Sequence, residues 1–224
     1  MNLPHSEVLR CKIGLAMPRL SAVAAEFWGH PDLADMYPEF LFLVHSMIRS
    51  SVPMMQAAER ESRRLAGEDP VAEPLADYYA VHAGEEAGHD DWLLDDLEAL
   101  GLDRAEVLGR VPSPTVAGLV GAYYYWIHHV HPVAFLAYLA VLEGNPPKVD
   151  ELNDVQRRTG LPPEGFRTLI KHAHLDPHHR DDLNDLIDRL PLTSEHHALL
   201  ALSAFHTIEQ VSLALREVLR ARQG

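Results

Sequence analysis

Apolar residues recur at steps of three and four along nearly the whole chain, and Gly and Pro fall mostly between these runs. That is the signature of amphipathic helices; no stretch alternates convincingly as a half-buried strand would. The pattern predicts helices over Ser6–Trp28 with a kink at Pro18, over Pro38–Ala66, and over Pro74–Leu100 with Gly101 as its stop. A short turn follows near Arg104–Leu108. A longer run, Pro114–Glu143, is bent at Pro132 and ended by Gly144-Asn145-Pro146-Pro147. Helices over Val149–Thr159 and Pro163–Leu190 come next, and a last one is capped by Thr193 or Ser194 and reaches Arg222. No linker, internal repeat or low-complexity segment interrupts the series, so residues 1–224 are expected to form one all-α domain.

Two of these apolar stripes contain residues that do not belong in a core. The third helix runs Leu75, Tyr79, then His82, Glu86 and His89, then Leu93, Leu97 and Leu100, while its solvent face is separately supplied by Asp77, Glu85, Asp91, Asp95 and Glu98. The Pro163–Leu190 helix runs Leu169, His172, Asp176, His179, Leu183, Leu186, Leu190, and Pro177 is expected to loosen the turn beside Asp176. Glu143 shares a face with Leu136 and Leu139 in the last turn of its helix, where a carboxylate is electrostatically misplaced. Buried charges need partners or a metal. A lone core histidine is as often a packing residue as a ligand, but acids and bases converging from three chain regions are harder to satisfy without a cation. The spacing Glu86-x-x-His89 turns both side chains to one side of a helix, as in bundle metal sites.

Composition narrows the chemistry further. The net charge of −14 disfavours nucleic acid and anionic membrane surfaces as partners. Apolar runs are broken by His, Arg or Glu, so no membrane span is expected, and the N-terminus lacks the form of a secretory signal. A single cysteine, Cys11, suits a reducing cytoplasm. Histidine is abundant, with 15 residues. Oxygen and imidazole donors without sulfur suit iron or manganese better than an iron–sulfur cluster or structural zinc. His206 with Glu209 reads as a boundary pair, and the aromatic run Tyr123–Trp126 reads as core or as a contact between two copies in a homodimer.

The run Glu85-Glu86-Ala87-Gly88-His89-Asp90, then Glu143, then His172-x3-Asp176-x2-His179 resembles the ligand pattern of the heme-oxygenase-like diiron oxidases and oxygenases, over roughly Pro38 to Leu190. The resemblance implies an all-α, heme-oxygenase-like bundle of about seven or eight helices without heme. It implies a pair of irons, cycling between Fe(II) and Fe(III), held by Glu86, His89, Glu143, His172, Asp176 and His179, with Glu143 as the bridging candidate and His82 as a further ligand or tuning residue. Such enzymes use O2 to oxidise amines, cleave amino acids or decarboxylate fatty acids. One departure stands out: where the family carries another carboxylate on the preceding helix, this chain has Val52, Pro53, Met55 and Gln56, so that Glu59 serves, or His82 does, or one iron is under-ligated and labile. The competing readings are a metal-free enzyme of the same fold, similar to thiaminase-II-like hydrolases or pyrroloquinoline quinone synthase, true heme oxygenase, and a non-enzymatic iron-binding protein. Cys11 lies far from the stripe residues, and Gly118 and Gly121 are a thin match to a distal heme helix.

Overall fold

The structure, a computed structural model, describes residues 3–221. Among these residues the chain is helical, with no strand. In chain order the helices are α1 (His5–Trp28), α2 (Leu33–Leu65), α3 (Ala72–Glu85), α4 (His89–Ala99), α5 (Arg104–Gly109), α6 (Pro114–His129), α7 (Ala134–Leu142), α8 (Val149–Thr159), α9 (Arg167–Arg189) and α10 (Ser194–Arg220). A 3-10 turn at Pro163–Phe166 leads into α9.

Most predicted helices are present, and the differences are local. The predicted Pro74–Leu100 helix is two helices, α3 and α4, and the predicted Pro114–Glu143 run is α6 and α7 with a turn at Pro132. Helix α2 starts at Leu33, five residues before the expected Pro38. Buried Met36 and Tyr37 anchor that extra turn, and the Tyr37 hydroxyl donates to the Gly165 carbonyl at 3.0 Å. Helix α9 runs unbroken through Pro177, contrary to the expected loosening. The expected end of the last helix, Arg222, lies outside the described residues. Helix α10 is, by length and composition, apolar enough to pass for a membrane span, although 44% of that stretch is buried. It packs against α1, α6 and α7, and its buried Ser203, Thr207 and Ser212 hydroxyls bond back to backbone carbonyls.

The core is divided. One apolar cluster joins Leu75, Tyr79 and Ala83 of α3 to Leu136 and Leu139 of α7 and to Leu183, Leu186 and Leu190 at the C-terminal end of α9. The other joins Leu93 and Leu97 of α4 to Phe166 and Leu169 at the start of α9. Between the clusters the inward positions are polar: Glu86 and His89 at the α3–α4 junction, and His172, Asp176 and His179 in the middle of α9. A buried polar layer therefore lies between two apolar cores, and the chain has spent core positions on it at a cost to hydrophobic stabilisation.

Candidate metal centre

The α3–α4 break builds the first half of the layer. Glu86 ends α3, its backbone N–H donating to the His82 carbonyl at 3.0 Å, and His89 opens α4. Between them Gly88 takes φ +86°, a left-handed conformation that costs glycine little and any residue with a Cβ more. The Glu86-x-x-His89 pair is therefore presented from two helix ends rather than from one helical face. Its members still meet: His89 Nδ1 lies 3.0 Å from Glu86 Oε2.

The second half comes from α9 and α7. His172 Nδ1 lies 3.1 Å from Asp176 Oδ1, one helical turn on. His179, a turn further, brings Nδ1 within 3.5 Å of Glu86 Oε1 and 3.9 Å of Glu143 Oε2. Glu143 sits at the C-cap of α7, where its other oxygen meets His82 Nε2 at 3.1 Å, supplying the positive partner that its misplaced charge requires. The imidazoles form two perpendicular pairs, His89 with His172 at 5.0 Å between centroids and His82 with His179 at 4.7 Å. All seven predicted residues thus lie in one layer, mostly buried.

Burial opposes charge throughout this layer, and local partners decide the outcome. At Glu86 burial is outweighed by the hydrogen bond and charge of His89, so the carboxyl stays below its ordinary range. Burial lifts the Glu143 carboxyl, with His82 pulling it back. At His82 burial is outweighed by Glu143, and the pKa is raised to about 9. His172 is raised because its bond to Asp176 outweighs burial.

Four ligand atoms in this layer are buried with no hydrogen-bond partner: Glu86 Oε1, Glu143 Oε2, His172 Nε2 and His179 Nδ1. Each belongs to a different predicted ligand, on four distinct chain positions. Leaving one such group unsatisfied costs about 1–3 kcal/mol, so four facing one layer is the arrangement a cation would relieve. Two triads have ligand atoms within 4.8 Å of one another: Glu86, His89 and His172, and His82, Glu85 and His179. A third triad, Asp69, His131 and His196, has the same spacing but opposite wiring. There His131 Nδ1 accepts from the Val133 N–H at 3.1 Å and His196 Nδ1 from the Thr193 N–H at 3.3 Å, so in the neutral rings Nε2 carries the proton. His131 Nε2 then donates to Asp69 Oδ2 at 2.9 Å, which makes this group a clasp between loops rather than a donor set.

Other expectations fall outside the layer. Glu59 pairs with Arg63 on α2, at 3.8 Å, and does not complete the centre. His45 is buried on α2 with both ring nitrogens unpartnered, and burial lowers its pKa. Glu209 pairs with Arg19, and Cys11 is exposed on α1. Three residues with a place at the centre were not expected there. Trp92 stacks on His89 at 3.9 Å, with Lys171 Nζ over its other side at 3.7 Å from the centroid. Tyr78 stacks on His82 at 5.3 Å with its hydroxyl buried and unpartnered. Glu85, assigned by periodicity to the solvent face, lies 3.3 Å from His82 Nδ1. The helix ends at Glu85, so a strict face assignment fails there. A cleft of about 570 Å³ between α3 and α9 reaches this point, lined by His82 and Glu85 together with Tyr78, Val81, Asp182 and Leu186.

Residues 64–212 match the family described as iron-containing redox enzyme. No curated protein matches the chain. Among solved structures, the fold is similar to a domain of unknown function with a heme oxygenase-like fold from Shewanella denitrificans, with TM-score 0.83 and 20% identity over 96% of this chain and 92% of that one. It is also similar to a TenA homolog from Pseudomonas syringae pv. tomato, with TM-score 0.66 and 12% identity over 92% of each chain.

Proposed function

This chain belongs to the iron-containing redox enzyme family, and on that footing we propose that it is a non-heme iron oxidase or oxygenase that holds a pair of irons in the buried layer and uses O2 to oxidise a small organic substrate. The observation that carries this reading is the set of four buried, unpartnered donor atoms on Glu86, Glu143, His172 and His179. Carboxylate oxygen and imidazole nitrogen without sulfur is a donor set that suits iron. Glu86, His89 and His172, with Asp176 beside His172, would hold one ion; Glu143, His179 and His82 would hold the other. Bound iron supplies the electrons that O2 needs to become an oxidant.

The chain's own residues do the rest. Asp176 accepts a hydrogen bond from the Nδ1–H of His172 and so leaves Nε2 as the lone pair facing the layer. Glu143 faces both His82 and His179 and would offer its carboxylate beside them to bound iron. The flanking apolar cores keep bulk water from the layer, and the cleft between α3 and α9 admits a substrate of amine, amino-acid or fatty-acid size. The working protein is a single cytoplasmic domain whose partners are that substrate and O2, with neither nucleic acid nor membrane. A metal-free hydrolase of the same fold would want its nucleophile at this cavity, whereas Cys11 is exposed on α1. The test is anaerobic Fe(II) titration followed by admission of oxygen. The proposal expects up to two Fe(II) bound per chain and iron-dependent O2 consumption. A single tetrahedral zinc that excludes iron, or bound iron that consumes no O2 beyond its own slow oxidation, would sink it.

A further inference from the structure

Glu85 Oε2 lies 3.3 Å from His82 Nδ1 and 4.0 Å from His179 Nε2, so one carboxylate oxygen faces the outward edge of both rings. The inward edges face the centre: His82 Nε2 is 3.1 Å from Glu143 Oε1, and His179 Nδ1 is 3.9 Å from Glu143 Oε2 and 3.5 Å from Glu86 Oε1. A neutral imidazole carries one N–H and one lone pair. Whichever nitrogen is held as N–H by an outer acceptor leaves the other to bind a cation. The two rings present opposite atoms inward, Nε2 on His82 and Nδ1 on His179, so nothing in the rings themselves selects the right tautomer in both. A single outer acceptor does. Asp176 already plays this part for His172, whose Nε2 is left buried and unpartnered.

We propose that Glu85 is a positioning residue of the centre, its Oε2 receiving the outward N–H of both His82 and His179 and so leaving His82 Nε2 and His179 Nδ1 as the lone pairs that take a cation beside Glu143. The inference rests on the metal reading given above. Glu85 is half exposed and lines the cleft. His82 is thereby a ligand, and its Tyr78 stacking partner fixes the ring plane.

The experiment uses the full chain loaded with Zn(II), a diamagnetic probe, and reads the histidine tautomers by long-range proton–nitrogen NMR. The expected result in the wild type is metal on Nε2 with N–H on Nδ1 for His82, and the reverse for His179. Zn(II) competition titrations of Glu85→Ala should show one of the two equivalents weakened by about 10–100-fold, the range seen when such outer partners are removed. The equivalent at Glu86, His89 and His172 and the melting temperature should stay unchanged. Glu85→Gln keeps an acceptor oxygen and should lose less. Metal on His82 Nδ1, or an alanine variant that binds both equivalents like the wild type, overturns the inference while leaving the metal reading intact. A wild type that takes no cation at His82 and His179 overturns both.

Discussion

Asp176 Oδ1 accepts from His172 Nδ1 at 3.1 Å, and the opposite nitrogen of the same ring is buried without a partner. The bond fixes both the ring's orientation and which nitrogen faces the centre. Asp176→Ala should therefore lower Fe(II) affinity by about 10–100-fold with little change in helix content, since α9 is held by Leu169, Leu183 and Leu186 on either side. Anaerobic iron titration with far-ultraviolet circular dichroism checks both parts. A variant that unfolds yet keeps its iron would make Asp176 a structural residue.

The metal-free protein should lose stability as pH rises through the alkaline range. His82 has a folded pKa of about 9 against an ordinary 6.5, because Glu143 outweighs burial. A raised histidine pKa contributes stability that is complete below about 6.5 and is lost as pH climbs through about 9. Melting temperature of chelator-treated protein, measured from pH 6 to 10, should fall across that window, and His82→Gln should flatten the fall. Iron competes for the same ring, so the loaded protein should show a weaker dependence.

Gly88→Ala should cost about 1–2 kcal/mol, the penalty for a Cβ in the left-handed region. Its added methyl meets nothing within 4 Å, so the cost is conformational rather than steric crowding. Because the same turn sets Glu86 against His89, iron affinity should fall together with urea stability. Equal stability in the variant would mean that the turn relaxes into continuous helix, and the iron titration would then show whether the pair survives.

Asp96 offers a prediction away from the centre. It is buried on α4, and its Oδ2 accepts from the Thr168 backbone N–H at 2.8 Å, satisfying an end of α9. Burial raises its carboxyl pKa, with the Thr168 contacts pulling it down. Asp96→Ala strands that N–H and should cost about 1–3 kcal/mol, read by urea unfolding, with iron stoichiometry unchanged.

The layer was legible in the sequence because its residues occupy apolar stripes at helical spacing. His172, Asp176 and His179 follow Leu169 and precede Leu183 without a break in period, and the structure keeps that helix whole. Glu85 was not legible for the opposite reason. Periodicity assigns a face only while the helix continues, and α3 stops at Glu85. The break was itself hidden, since Gly88 within a strong helical pattern reads as tolerated rather than as left-handed. Asp96 was invisible because its partner, the Thr168 N–H, is a backbone group distant in sequence. The fold is shared with solved structures at only 20% and 12% identity.

At the level of the polar layer the two apolar clusters are held apart, so an ion there would act as a rivet between them, beside Val44 and Val218, which pack against both. Binding free energy spent on the rivet is also folding free energy. Starved of iron, the chain would open more often along this seam and present itself to proteases; supplied with iron, it would persist. On the proposed reading its abundance in a cell should then follow the iron supply, the candidate centre serving as its own quality-control mark.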